Sequence, residues 1–210
     1  VALEFGLMDP RIQSLALFAM GKSHTPWAIG ISHAQRKAIY ADEHWQDGFY
    51  DPKVPPQKGL SAARALAMIT YRSPQNYEHK FRRDFNRNKD QFEVESYLDH
   101  QGEKLSSRFD ANTYITLTKA MDSHDVSRNR GSFREALGSL TIPCLILGID
   151  SDLLYPIAEQ QELSELIPDS EINQIHSDYG HDAFLIEFEQ INKNLIPFYH
   201  STKSLYEHHT

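Results

Sequence analysis

Ser177-Asp178-Tyr179-Gly180-His181-Asp182 lies between a short apolar segment, Glu171 to His176, and a stretch in which Phe184, Phe188, Ile191, Leu195 and Phe198 recur at helical spacing. The pattern predicts strand, loop, helix, with His181 in the loop. Gly180 lets the backbone turn there without a Cβ penalty. In α/β proteins, groups at the carboxyl ends of strands face the working crevice. A lone loop histidine is most often a polar surface residue, so His181 needs partners before it acquires a role.

Outward from this loop the chain alternates strand and helix. Ile142-Pro143-Cys144-Leu145-Ile146-Leu147-Gly148-Ile149 reads as a buried strand ending at Asp150-Ser151-Asp152. Ile157 to Ile167 reads as a helix stopped by Pro168. Near the start, Ile12 to Met20 contains the continuous apolar run Leu15 to Met20, another buried strand. Such alternation predicts a parallel sheet with helical crossovers. Val1 to Met8 reads as a helix with no capping residue before it.

Between Gly21 and Ser139 no comparable apolar run occurs. Pro26 to Tyr40 predicts one or two helices, 45–58 a loop, and Gly59 to Tyr71 an Ala-rich helix. Lys80 to Asp90 reads as a charged mobile segment and Phe92 to Leu105 as a helix. Asp110 is a good N-cap for a helix with Tyr114, Leu117, Thr118 and Met121 on one face. The expected organisation is an α/β core from 1–20 and 140–200, a helical insertion over 21–139, and a frayed polar tail over 201–210.

Composition excludes several classes. With 40% hydrophobic and 24% charged residues the chain has an ordinary globular mixture. A net charge of −8 argues against nucleic acid as a partner. No apolar run approaches the ~18 residues of a membrane span, and neither a basic region nor a cleavage site marks a signal peptide. The single cysteine, Cys144, forbids an internal disulfide and suits a reducing, cytoplasmic compartment. No H-E-x-x-H or comparable ligand spacing appears, and His208-His209 is too short for a metal site, so no metal is expected.

A histidine that serves as a general base needs an orienting acid. Asp152 lies at the end of the strand before the histidine's strand, so both side chains emerge at the same sheet edge. Acid then histidine, one βα unit apart, is the second half of the order Ser, Asp, His found in α/β hydrolases. Capping of the following turn is the alternative role for Asp150 and Asp152. The nucleophile would come earlier in a G-x-S-x-G elbow, which occurs nowhere in this sequence.

The sequence also contains Ala2-Leu3-Glu4-Phe5, Ala34-Gln35-Arg36-Lys37-Ala38-Ile39, Gly59-Leu60-Ser61-Ala62-Ala63-Arg64 and Ile69-Thr70-Tyr71-Arg72-Ser73. Further on come Glu95-Ser96-Tyr97-Leu98, Gln101-Gly102-Glu103-Lys104, Arg108-Phe109-Asp110-Ala111-Asn112, Met121-Asp122-Ser123-His124-Asp125 and Tyr179-Gly180-His181-Asp182. In this order the segments resemble the homoserine O-acetyltransferase family, acyl-CoA-dependent enzymes of methionine synthesis with an α/β-hydrolase fold. The resemblance runs from Val1 to about Phe198. It implies that the chain is the C-terminal part of that fold, a parallel-sheet remnant with a helical lid insertion. It also favours Asp152 over Asp150 as the orienting acid, and places the nucleophilic serine just before Val1. Ile12–Met20 would then be a raw sheet edge, so the 210 residues expressed alone are expected to be insoluble or molten and inactive.

What the resemblance implies for function is ping-pong transfer of acetyl from acetyl-CoA, a co-substrate and not a bound cofactor, to the hydroxyl of L-homoserine. His181 and Asp152 are the expected catalytic residues. Arg64 is expected to bind the substrate carboxylate, with Arg72 the runner-up, and Asp182 the ammonium. A solvated helix arginine and an N-cap of the last helix are the respective structural alternatives. Tyr71, Arg72, Tyr97 and Asp122 are tunnel-lining candidates for which plain helix packing is an equal explanation. Lys80 to Lys89 carries cations that could meet CoA phosphates, although such runs are usually solvated. The partners expected are these small molecules and a second copy of the protein, with a homodimer formed through the lid. A homoserine succinyltransferase, a related O-acyltransferase and a plain serine hydrolase are the competing functions; Leu153-Leu154-Tyr155, with no arginine, leans towards acetyl.

Overall fold

The computed structural model describes residues 1–203, and these divide into two compact units, 1–23 with 124–203 and 24–123.

The first unit is built on a three-stranded parallel sheet in the order β1 (Leu15–Phe18), β4 (Cys144–Ile149), β5 (Ser170–Ile175). Leu15 aligns with Cys144 and Ile149 with Ile175. Every residue of β4 is buried, as a central strand covered on both faces requires. Its side chains alternate accordingly. Cys144 and Ile146 join Leu3, Leu15, Leu17, Leu137, Leu140, Leu163 and Ile167 on one face. Leu145, Leu147 and Ile149 join Ala19, Ile175, Ala183, Ile191 and Phe198 on the other. Helices α1 (Ala2–Met8), α7 (Phe133–Gly138) and α8 (Ile157–Leu166) therefore supply the first face, and α9 (Phe188–Thr202) the second. As expected from the sequence, the N-cap of α1, Val1, makes no side-chain capping bond.

The second unit is helical. It holds α2 (Pro26–Tyr40), α3 (Gln57–Tyr71), α4 (Pro74–Phe81), α5 (Glu93–Ser106) and α6 (Ala111–Asp122), with a short hairpin of β2 (Phe85–Asn86) and β3 (Gln91–Phe92). Thr25, Ser73 and Asp110 cap α2, α4 and α6 by accepting from backbone N–H groups three residues on. Ile39, Leu60, Ala63, Ala111 and Ile115 form its core. Two glycines set the helix spacing. A Cβ on Gly59 would lie 2.8 Å from the carbonyl oxygen of Ala38 in α2, and one on Gly102 would lie 2.8 Å from that of Ser61 in α3. Backbones approach this closely only where no side chain intervenes.

Several expectations need correction. The helical unit ends at Ser123 and not at Ser139. Val126 is fully buried in the sheet core and its N–H donates to Lys22 O, while α7 packs Leu137 into the same core. Lys80–Asp90, expected as a charged mobile segment, holds the end of α4, β2 and the turn towards β3. In α6 the inward face is Ala111, Ile115 and Thr118, whereas Leu117 and Met121 are exposed. Phe184 lies in a 3-10 turn, Gly180–Leu185, outside the last helix. The tail is helical through Thr202, which is buried, and 204–210 lie outside the described residues.

Candidate active site

β4 and β5 end side by side, and the loops leaving them carry the site. Asp152 follows β4, and its side chain is fully buried. One carboxylate oxygen, Oδ1, accepts from the backbone N–H groups of Leu154 and Tyr155 at 2.8 and 2.9 Å. The other, Oδ2, lies 2.8 Å from His181 Nδ1. The carboxylate is thus held by the turn that follows it and has one oxygen left for the imidazole. A buried charge tolerates its desolvation only when so fully bonded.

His181 sits in the 3-10 turn after β5 with its side chain 17% exposed. Its ring packs between Tyr155, 5.4 Å between centroids, and Phe184, 5.3 Å in edge-to-face contact. Gly180 takes φ +63°, as the glycine in this loop predicts, and its N–H donates to Ser151 Oγ at 3.0 Å. The Ser151 hydroxyl in turn donates to Ser177 O, tying the two loops together.

Asp150 has a different task. It accepts from the Ser177 N–H at 3.1 Å and lies 2.9 Å from His176 Nδ1. Burial acts to raise its pKa, but these two partners outweigh it and hold the carboxyl below its usual range. Asp150 therefore braces the loop, and Asp152 is the acid that meets His181.

A carboxylate the sequence reading missed stands nearby. Glu159, in the first turn of α8, has its Oε2 buried against Gly21 with no hydrogen-bond partner among the described residues. Burial, and then the negative charges of Asp152 and Glu162, raise its pKa to about 7, with Lys22 opposing. Nothing in its spacing marks it, because the approach of Gly21 is tertiary.

In the helical unit Arg64 lies mid-α3, half-buried, with its guanidinium carbon 5.3 Å from the centre of the Tyr71 ring. It forms no ion pair among the described residues. Arg72 ends α3 as its C-cap. Tyr97 belongs to an aromatic cluster with Tyr77 and Phe81, and Lys80 Nζ lies 4.2 Å from its ring centre. Asp122 is committed internally: it pairs with Arg36 at 2.5 Å and with His24 Nδ1 at 3.1 Å, both of which are buried. Asp182 follows His181 in the 3-10 turn, half-buried, and does not cap the last helix, whose N-cap is Glu187.

A parallel sheet carries an aspartate and a histidine bonded at the ends of adjacent strands, and a family model for the alpha/beta hydrolase fold matches residues 1–188. The chain belongs to the alpha/beta hydrolase fold family. Within it, the chain is 53% identical over 200 residues to a homoserine O-acetyltransferase of Chlorobium chlorochromatii (strain CaD3), covering 93% of this chain and 56% of that protein. It is 49% identical over 197 residues to the homoserine O-acetyltransferase of Trichormus variabilis (strain ATCC 29413 / PCC 7937), covering 93% and 55%. Among solved structures, homoserine O-acetyltransferase from Bacillus anthracis superposes with a TM-score of 0.84 at 20% identity, over 91% of this chain and 54% of that one. That from Staphylococcus aureus gives 0.73 at 28% identity, over 94% and 54%. Esterase E22 gives 0.80 at 17% identity, over 90% and 55%, a likeness of fold alone. The hydrolase-fold chain thus spans about half the length of the curated relatives it matches.

Proposed function

We propose that the protein carrying this chain is a homoserine O-acetyltransferase, moving the acetyl group of acetyl-CoA to the hydroxyl of L-homoserine. The observation that carries this reading is the 53% identity to a homoserine O-acetyltransferase along 93% of the chain. The dyad supplies the chemistry. Asp152 holds Nδ1 of His181, which leaves Nε2 as the nitrogen that exchanges a proton with the reacting hydroxyl. A serine supplied from outside residues 1–210 attacks the thioester carbonyl and gives its proton to His181. The CoA thiolate leaves and takes that proton. The homoserine hydroxyl then attacks the acyl-serine, again losing its proton to His181, and the acetyl ester departs as the serine recovers a proton.

Arg64 takes the homoserine carboxylate and Asp182 its ammonium. A half-buried guanidinium with no carboxylate of its own supports the first assignment, and exclusion of Asp182 from capping supports the second. No resident cofactor is called for, and the site works in the cytoplasm on small molecules, in a homodimer formed through the helical unit. No helix among the described residues is long and apolar enough to cross a membrane.

A hydrolase reading is the competitor, since esterase E22 shares the fold. The two separate in one experiment on the full-length protein: exchange of labelled CoA into acetyl-CoA, followed by transfer to L-homoserine against transfer to water. Acetylhomoserine formation abolished by His181→Ala is the expected result. Release of acetate alone, with no thioester exchange, would overturn the proposal.

A further inference from the structure

We infer that Ser151 is a positioning residue for His181, holding the backbone that carries the imidazole while Asp152 holds the ring; this rests on the role given to His181 above. Residues 150–152 meet the histidine loop in sequence order. Asp150 accepts from the N–H of Ser177 at 3.1 Å. Ser151 Oγ donates to the carbonyl oxygen of Ser177 and accepts from the N–H of Gly180 at 3.0 Å. Asp152 Oδ2 lies 2.8 Å from His181 Nδ1. Ser177 and Gly180 begin and end the turn that leads into His181. One hydroxyl therefore spans that turn, from the carbonyl at its start to the N–H at its end, and it belongs to the residue next to the orienting acid.

The two ends of the turn are not held alike. Ser177 has other ties: its N–H is held by Asp150, and its Oγ donates to Glu187 Oε1 at 2.7 Å and accepts from the Tyr179 N–H at 3.1 Å. Gly180 is buried, and its N–H donates to Ser151. At φ +63° this glycine has a backbone freedom that other residues lack, so the point just before His181 is the one that drifts most readily when untied. Removing the Ser151 hydroxyl thus leaves the root of the loop in place and frees its working end. The imidazole is carried by the next residue along. A displacement of about 1 Å at a reacting group can cost about 10²-fold in rate. A hydroxyl engaged both as donor and as acceptor fixes that end of the loop before substrate arrives. Ser151 acts on the main chain and takes no part in proton transfer.

The test uses the full-length protein, with steady-state kinetics on acetyl-CoA and L-homoserine and proton NMR of the imidazole. Ser151→Ala should lower kcat about ten- to a hundredfold and leave both KM values within about twofold. Ser151→Thr keeps the hydroxyl and should stay within about threefold of the parent kcat. An imidazole Nδ1–H held by a carboxylate gives a far-downfield proton resonance, assigned here by its loss in Asp152→Asn. It should broaden or move upfield in Ser151→Ala and persist in Ser151→Thr. In the Asp152→Asn background Ser151→Ala should cost less than it does alone, because the contact it secures is already gone. A fall in kcat with that resonance unmoved would mean a general structural role, and it overturns the inference. Equal losses in Ser151→Ala and Ser151→Thr do the same, as does a parental kcat in Ser151→Ala while His181→Ala is inactive. If His181→Ala itself keeps its turnover, the role of His181 fails and the inference falls with it.

Discussion

His181 Nδ1 lies 2.8 Å from Asp152 Oδ2, while the other oxygen of the same carboxylate is held by the N–H groups of Leu154 and Tyr155. The acid is thereby fixed in orientation before it meets the imidazole, and it fixes the imidazole's tautomer in turn. Asp152→Asn keeps the shape but places an amide where the carboxylate accepted from Nδ1–H. We expect kcat for acetyl transfer in the full-length protein to fall by about 10³- to 10⁴-fold, with KM values little changed. Asp152→Ala should add a stability loss of about 1–3 kcal/mol, because the Leu154 and Tyr155 N–H groups lose their buried acceptor. Urea denaturation of the two variants distinguishes the effects.

Arg36 and Asp122 pair at 2.5 Å in the helical unit, where Arg36 is 6% exposed. Removing one partner strands a buried charge. Asp122→Ala should cost about 3–5 kcal/mol, and Arg36→Met in the same chain should recover much of it by removing the stranded cation. Chemical denaturation of the single and double variants measures both; equal losses for the double and the single would show that the charge is not what destabilises.

Gly102 brings α5 against α3. An added methyl would lie 2.8 Å from Ser61 O, which is backbone and cannot swing aside. Gly102→Ala should therefore destabilise by about 1–3 kcal/mol although alanine is the better helix former. Gly30 and Gly138 have open space around the same position, so alanine there should be neutral or stabilising. Thermal melts of the three variants side by side would settle whether close approach outweighs propensity.

Glu159 gives a pH dependence whose sign can be worked out. Burial, reinforced by Asp152 and Glu162, raises its pKa from 4.5 to about 7. Between those values the folded protein holds a proton that the unfolded chain has released. Stability contributed by this group is full below about 4.5 and is lost as pH rises through about 7. Glu159→Gln, neutral throughout, should flatten the fall in melting temperature across that window. An unchanged slope would place the titration elsewhere.

Much of this was legible without coordinates where the physics is local. The continuous run Cys144 to Ile149 announces a strand buried on both faces, and Asp110 announces the start of α6. Gly180 marks the turn that presents His181, since φ +63° is open to glycine at little cost. What local reading placed wrongly was decided by neighbours distant in sequence. Leu117 and Met121 share an apolar stripe with Tyr114, yet α6 turns Ala111 and Ile115 inward, because α2 and α3 offer Ile39, Leu60 and Ala63 as the partner surface. The stretch 124–139 lacks an apolar run but joins the sheet core through Val126 and Leu137.

The same division runs through the site. The sequence by itself determined which residue types stand at the ends of which strands, and hence that Asp150 or Asp152 would face His181. Side-chain pairing across two loops is a matter of fractions of an ångström, and only the tertiary structure decided it: Asp150 to His176, Asp152 to His181. Tertiary packing alone set Glu159 beside Gly21 and Tyr114 on Gln35, and among the described residues gave Asp122, but not Arg64, an opposite charge. Periodicity reports which face of a helix is apolar; it carries no information about which charge lies opposite once the helices meet.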